Sequence, residues 1–295
     1  MQSSVLTVFL PAAVAIVMLG LGLSLTPADF RRILQLPRVI GASILIQFIA
    51  LPFVAVVIAK LFGLQPDLAV GFVLLASAPS GATATLLAHL ARADVALALT
   101  ITAVSSLLSL AALPILVNAA LAHFMGEGRA IPLQLGKTLQ VFAVVLPPVA
   151  IGMLIRHYKE WIAAALDKPV RILSALFLLG VIGAAFAQER ANIGTYFAQV
   201  GLAALAFNLM SGALAYGTAV AVRAPRAHAA AATMAVCMRN GPLAITVAGS
   251  ASLLNNMTMA APAAVYSLIM FFTAAAFGFA MRPKPGSAGQ ETTAA

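Results

Sequence analysis

Three features of the sequence predict an all-α polytopic membrane protein. Hydrophobic residues make up 62% of its 295 residues and charged residues only 8%, whereas a water-soluble domain carries roughly 25% charged residues. The charges are also clustered, which leaves long apolar segments between them. Two of these segments are interrupted near their centres by Pro and Gly. The composition excludes a water-soluble enzyme and a disordered chain.

The transmembrane segments follow from the distribution of charge. Five stretches contain no Asp, Glu, Lys or Arg: 39–59, 95–126, 138–155, 191–222 and 240–281. Because about 20 apolar residues let a helix cross the hydrocarbon layer, each stretch is long enough to span at least once. With turn residues as further boundaries, the sequence predicts nine transmembrane helices, at about 5–25, 39–62, 68–90, 94–122, 131–155, 168–188, 194–222, 227–252 and 258–281.

The basic residues of the predicted loops are divided unequally between the two sides. Nine spans place twelve of them on one side, including Arg92, Arg223 and Arg226, and four on the other, including Lys60. The richer side of a membrane protein is normally cytoplasmic. We therefore predict a multi-pass protein of the inner (plasma) membrane with its N-terminus outside and its C-terminus inside. This asymmetry explains the net charge of +9 without a nucleic-acid partner.

The two interruptions lie in the third and eighth predicted spans. The third contains Ala78-Pro79-Ser80-Gly81 and the eighth contains Asn240-Gly241-Pro242. One such site would most simply be a kink, because Pro removes a backbone donor and Gly tolerates unusual φ values. Two sites five spans apart instead predict an inverted repeat, in which paired broken helices mark the binding site of a transporter.

These features together predict the domain organisation. One transmembrane domain covers residues 1–280, with a first repeat at about 1–125 and a second at about 130–281, and residues 282–295 form a disordered cytoplasmic tail. Ser80 and Asn240 are suitable N-cap residues for the resumed half-helices, and Pro242 suits a first turn. Helix starts inside the membrane carry partial positive charge, which favours an anionic ligand.

The motifs around these breaks, taken in order, resemble those of the bile acid:sodium symporter family. They include Gly20-Leu21-Gly22-Leu23-Ser24-Leu25, Gln47-Phe48 with Pro52, Pro79-Ser80-Gly81, Leu90-Ala91-Arg92 and Met238-Arg239-Asn240. The resemblance implies inverted repeats of five helices, of which this chain lacks the first helix. It further implies a core domain in which two broken helices cross, a moving panel domain, and sodium-driven uptake of organic anions.

The residues that the resemblance assigns to sodium binding are only partly retained. Alanine stands at two Ser positions and at the family's Glu, and Arg stands at a Gln: these residues are Ala84, Ala98, Ala235 and Arg239. Hard cations need several oxygen ligands, which alanine side chains cannot supply. The remaining candidates for a sodium site are Gln47, Thr85 and Thr102, and we do not expect both sodium sites of the family to persist.

Arg239 is the charged residue predicted to lie inside a span. A charge there costs about 2.5–3.5 kcal/mol on insertion scales, so such residues normally have a function. Arg239 could bond to backbone carbonyls at the broken helix, or it could attract an anion at the crossing. A Glu with two sodium ions carries a net charge of +1, and Arg239 beside Ala235 carries the same charge permanently. This balance leads to the hypothesis that transport is independent of sodium or only weakly coupled to it.

The predicted function is secondary transport of a small organic anion, such as a carboxylate or sulfonate, by alternating access. The alternative is a non-transporting membrane receptor or sensor on the same scaffold. No catalytic motif is present, so we predict neither an enzyme nor a cofactor beyond sodium, and the oligomeric state stays open. The predicted substrate-binding residues are Ser80, Gly81, Thr83, Arg239, Asn240, Gly241 and Pro242.

Overall fold

The computed structural model of the chain describes residues 34–81, 83–126, 193–249 and 253–281, together with short helical stretches within 15–23 and 147–176. Throughout these ranges the backbone is helical or forms turns and connections. The four longer described ranges contain nine α-helices: α1 Pro37–Leu45, α2 Leu51–Leu61, α3 Pro66–Ser77, α4 Thr83–Leu90, α5 Val95–Met125, α6 Ile193–Ala221, α7 Arg226–Cys237, α8 Gly241–Gly249 and α9 Ala261–Ala280.

The predicted spans at 5–25, 131–155 and 168–188 lie mostly outside the described residues, and the predicted tail, 282–295, lies wholly outside them. The count of nine spans and the division into two repeats therefore stay predictions. Among the described residues, three helices are long and apolar enough to cross a membrane: Pro37–Leu61, Phe197–Ala221 and Thr258–Ala280. Helix α5 is a fourth if its two halves form one bent span. The protein is thus a helical membrane protein, as its composition predicts.

The helix from Pro37 to Leu61 changes its hydrogen-bonding pattern where α1 meets α2. Pro52 has no N–H group, and a proline ring inside a helix crowds the carbonyl four residues earlier, here that of Phe48. The intervening residues Ile46–Ala50 form a π-helical segment, and the N–H of Leu51 donates to the carbonyl of Ile46, five residues back. Such segments are frequent at functional sites, and this one contains Gln47.

Both predicted interruptions are confirmed. α3 ends at Ser77 and α4 begins at Thr83, while α7 ends at Cys237 and α8 begins at Gly241. The two gaps cross each other in an antiparallel bridge between Ser80 and Arg239. Gly81 N–H donates to the Met238 carbonyl at 2.7 Å, and Asn240 N–H donates to the Pro79 carbonyl at 2.9 Å. Backbone groups released by each break are therefore satisfied by the other, as an apolar surrounding requires.

The long helix α5 follows the first broken pair. The Asp94 side chain caps its start by accepting a hydrogen bond from the Leu97 N–H at 3.0 Å. The two halves, Val95–Ser109 and Ala111–Met125, are bent by 58° relative to each other. Pro114 lies inside the helix, and its ring crowds the carbonyl of residue 110, which accounts for the position of the bend.

Polar contacts tie the two halves of the chain together at both ends of the broken helices. At one end, His228 Nε2 lies 3.3 Å from Asp94 Oδ2, and Arg226 Nη2 donates to the Ala280 carbonyl at 3.4 Å. At the other end, Asn256 Nδ2 donates to Asp67 Oδ1 at 2.9 Å. The turns that carry Arg92 and Arg223 therefore lie at the same end, in agreement with the predicted loop assignment.

The core around the broken helices is built largely of small side chains. Ala229, Ala230, Ala231 and Ala232 of α7 are all buried, and α7 contacts α4, α5 and α6. Small residues allow this close approach of membrane helices. Large apolar side chains such as Phe53, Phe272 and Phe279 are instead on the outside of the bundle, where lipid solvates them.

Candidate functional site

The candidate site is the crossover, which we define as residues 78–81 between α3 and α4 together with residues 238–240 between α7 and α8 and Gly241, the first residue of α8. It is closed to solvent in this conformation, because Ser80 and Arg239 are each 1% exposed and Asn240 is 7% exposed. Four helices end or begin here, so unpaired backbone groups and polar side chains are concentrated inside an otherwise apolar core.

Arg239 lies at the centre of the crossover and points into the protein. Its Nη1 donates to the Ala78 carbonyl at 3.0 Å and to Gln47 Oε1 at 3.3 Å. Its Nε and Nη2 atoms are buried and have no hydrogen-bond partner in the described part of the chain. Within that part, the ion pairs of the protein do not include Arg239. The site therefore carries an uncompensated positive charge in a medium that screens charge poorly.

Gln47 connects the π-helical segment to the crossover. Its Oε1 accepts hydrogen bonds from Arg239 Nη1 and, at 3.1 Å, from Ser80 Oγ. The Gln47 Nε2 atom is buried and has no partner among the described residues. Gln47, Ser80 and Arg239 thus lie together at the crossover, although the three residues come from three different elements.

The role predicted for Ser80 as an N-cap is wrong. Gly81, the residue after Ser80, is not helical, and the Ser80 hydroxyl lies 2.6 Å from the Ala235 carbonyl and 3.1 Å from Gln47 Oε1. The Ser80 N–H donates to Ser105 Oγ at 3.2 Å. Ser80 therefore holds the first interruption against α5 and α7 instead of capping its own half-helix.

The second interruption has the predicted cap. Asn240 Oδ1 accepts a hydrogen bond from the Leu243 N–H at 3.1 Å, and the half-buried Pro242 is the second residue of α8. A side chain at Gly241 would collide with the hydroxyl of Ser267 on α9. A side chain at Gly81 would lie 3.0 Å from the Arg239 carbonyl. Glycine at both positions therefore allows the crossing segments to pack closely.

The sodium site predicted at Gln47, Thr85 and Thr102 stays a prediction, although Gln47 and Thr102 already bond to other groups of the protein. The Thr102 hydroxyl donates to the Ala98 carbonyl of its own helix at 2.9 Å, and Gln47 Oε1 already accepts from a cation, Arg239. Thr83 and Thr85 are half-buried residues in the first turn of α4. Ala84, Ala98 and Ala235 are fully buried and offer no side-chain oxygen, so the residues present fit a family-type sodium site poorly.

A polar group at the end of α7, beside the crossover, was not predicted from the sequence. Tyr266 Oη donates to the Cys237 carbonyl at 2.6 Å, and Asn208 Nδ2 donates to Tyr266 Oη at 2.7 Å. These bonds satisfy the last carbonyl of α7. The Asn208 Oδ1 atom has no partner within the described ranges. An amide near the middle of the charge-free stretch 191–222 was the available signal for this group.

Comparison with known proteins places these features in a family. Residues 11–196, more than half of the chain, match the Sodium Bile acid symporter family, which includes the first broken helix but ends before the second. The chain is 31% identical over 143 residues to "Probable sodium/metabolite cotransporter BASS1, chloroplastic" of Arabidopsis thaliana, an overlap of 48% of this chain and 34% of that protein.

Two further relatives come from other groups of organisms. The "Uncharacterized sodium-dependent transporter YocS" of Bacillus subtilis (strain 168) is 24% identical over 192 residues, 65% of this chain and 57% of the relative. The "P3 protein" of Mus musculus is 24% identical over 217 residues, 74% of this chain and 46% of the relative. The matched region thus spans between a third and somewhat more than half of these relatives. The protein belongs to the Sodium Bile acid symporter family, whose members are transporters and not enzymes.

Proposed function

We propose that the protein is a secondary transporter that moves a small organic anion across the inner membrane by alternating access, with coupling to sodium lost or weak. The observation that carries this proposal is the buried Arg239 guanidinium at the crossing of two broken helices. Broken helices at a membrane midplane typically form substrate sites, and a charged residue inside the membrane typically marks a substrate pathway.

The charge at the crossover supports an anionic substrate. The acidic residues Asp67 and Asp94 lie at opposite ends of the broken helices, where they bond to Asn256 and His228. Neither is paired with Arg239. An anion bound at the crossover would supply the missing compensation for the guanidinium. Ser80, Gly81, Thr83, Arg239, Asn240, Gly241 and Pro242 are the residues that we propose surround it.

The contacts of Arg239 also support weak coupling to sodium. Two curated relatives have sodium in their names, whereas Arg239 here bonds to oxygens of Gln47 and Ala78, the kind of ligand that sodium prefers. A guanidinium is always protonated and cannot leave with the substrate. It therefore supplies no ion-driven work, and we propose facilitated uptake or anion exchange.

Uptake into vesicles tests this function. Purified protein is reconstituted, the membrane potential is clamped with potassium and valinomycin, and entry of labelled pyruvate, pantoate and ethanesulfonate is measured with external sodium or choline. We expect uptake of at least one probe at equal rates in both media, and loss of that uptake in Arg239→Gln. Uptake that rises steeply with external sodium contradicts the loss of coupling.

The same vesicles separate transport from the alternative function. A receptor or sensor on this scaffold would bind a probe, as measured by thermal stabilisation, without moving it across the bilayer. Thr233→Val serves as the matched control, because Thr233 is buried in α7 and its hydroxyl donates to the Ala229 carbonyl of its own helix. It should transport like the unmodified protein.

A further inference from the structure

The unpaired polar atoms beside Arg239 are all hydrogen-bond donors. They are Arg239 Nε, Arg239 Nη2 and Gln47 Nε2, each buried and without a partner in the described ranges. Buried donors without acceptors are costly and uncommon in folded proteins. Three of them in one connected pair of side chains indicate that an acceptor-rich partner belongs beside them.

The geometry of the guanidinium identifies the form of that partner. Nη1 is occupied by Ala78 and Gln47, so the free atoms are Nε and Nη2. The N–H bonds on this edge of a guanidinium run parallel and match the two oxygens of a planar carboxylate in a bidentate pair. The edge that is best suited to bind a carboxylate is therefore the edge that has no acceptor among the described residues.

Arg239 also determines which end of the Gln47 amide is free. Only the amide oxygen can accept from Nη1, so Oε1 must face Arg239 and Nε2 must point away from it. Gln47 is thereby converted from a residue that could bind a cation into a neutral N–H donor.

We propose that the Nε–Nη2 edge of Arg239 and the Nε2 amide of Gln47 form a carboxylate-binding subsite at the crossover. Gln47 then donates a hydrogen bond to the anion and does not bind sodium. The subsite rests on the proposed transport function only in that the bound carboxylate is taken to be the transported substrate. A planar carboxylate fits better than a sulfonate, because two parallel N–H bonds match two coplanar oxygens and leave the third oxygen of a sulfonate without a donor on this edge.

Binding to the purified full-length protein tests the subsite without requiring transport. Thermal unfolding in detergent is followed with choline pyruvate, choline ethanesulfonate, choline chloride or sodium chloride. We expect pyruvate to raise the melting temperature more than ethanesulfonate does, and sodium to give no increase over choline. Stabilisation by sodium and not by pyruvate, equal stabilisation by the two organic anions, or no stabilisation by any salt contradicts the proposal.

Two substitutions address the two halves of the subsite. Gln47→Glu places a carboxylate of nearly equal shape beside Arg239 and should compete internally, weakening the apparent affinity for pyruvate by about tenfold or more. Arg239→Lys keeps the charge but removes the parallel donors and should weaken binding by about tenfold. If Gln47→Glu does not fold, Arg239→Lys carries the test alone.

A buried control variant and the vesicle assay distinguish failure of the subsite from failure of the transport proposal. Thr233→Val should keep the pyruvate effect, and unchanged affinity in both Gln47→Glu and Arg239→Lys overturns the subsite. Pyruvate binding that is lost in these variants, in a protein that moves no anion into vesicles, refutes transport but supports the subsite. Transport with unaltered binding in both variants refutes the subsite alone.

Discussion

Single residues shape the protein either through the contacts that their side chains make or, for glycine, through the absence of a side chain. We propose that the Arg239 guanidinium takes the place of bound cations, and its Nη1 donates to Gln47 Oε1. Glycines have the opposite role, because their missing side chains let backbones touch. Gly71 of α3 is the clearest case: a Cβ there would overlap the backbone of Met259, which leads into α9.

This close approach predicts a large effect of one methyl group. Gly71→Ala should lower the free energy of unfolding by about 1–3 kcal/mol, because backbone atoms cannot move aside as a flexible side chain can. Gly41→Ala is the matched control: a Cβ at this helical position meets nothing within 4 Å, and alanine should raise stability by about 0.5–1 kcal/mol. Thermal unfolding in detergent measures both, and equal melting temperatures would contradict the packing described.

At the scale of elements, irregular helices position the site. The π-helical segment presents Gln47, and its cause is Pro52 of the following helix. The broken pairs α3–α4 and α7–α8 satisfy each other's backbone through the bridge between Ser80 and Arg239. Each irregularity would be costly in lipid on its own, and tertiary contact makes it tolerable.

The dependence of Gln47 on Pro52 can be tested directly. Pro52→Ala restores an N–H that can donate to the Phe48 carbonyl, so an α-helical register can replace the π segment. Gln47 would then rotate relative to α2 by about 100°, the angle per residue of an α-helix. We expect a folded protein whose stabilisation by pyruvate is lost.

Pro262→Ala is the control for this substitution. Pro262 lies in the first turn of α9, where a proline removes no helical hydrogen bond, so pyruvate stabilisation should persist. A Pro52→Ala protein that still responds fully to pyruvate would show that the π segment does not position Gln47.

On the scale of the whole molecule, the contacts at the two ends of the broken helices define two sides. The pair of Asp94 and His228 joins the turn after α4 to the start of α7, and the pair of Asp67 and Asn256 joins the start of α3 to the turn after α8. The positive-inside rule predicts that the first side, which carries Arg92 and Arg223, faces the cytoplasm.

Cysteine labelling tests this orientation. In a Cys237→Ala background, which has no other cysteine, single cysteines replace the exposed residues His89 and Ala221 on the first side and Gln65 and Asn255 on the second. A membrane-impermeant maleimide on intact cells should modify only the second pair, and permeabilisation should expose the first. A reversed pattern contradicts the orientation, and different behaviour within a pair contradicts the fold.

The helices, both interruptions and the buried charge could be predicted from the sequence, because each depends on local composition. Helix lengths follow from apolar runs. The break at 78–81 follows from Pro79 and Gly81, and the break at 238–240 follows from Asn240 and from Gly241 and Pro242 directly after it. The error at Ser80 was also local: a residue with good capping chemistry was assumed to cap the nearest helix. The structure uses that hydroxyl for Gln47 and Ala235 instead.

The amino-acid sequence by itself determined that this is a membrane protein with two broken helices and an arginine beside one of the breaks, since apolar runs, helix-breaking residues and charges are all local properties of the chain. Only the tertiary structure decided that the parallel N–H edge of Arg239 has no partner in the described part of the chain and that Gln47 offers a donor there. Those two residues are 192 positions apart, and partners at such separation are chosen by how the helices pack, which no local pattern encodes.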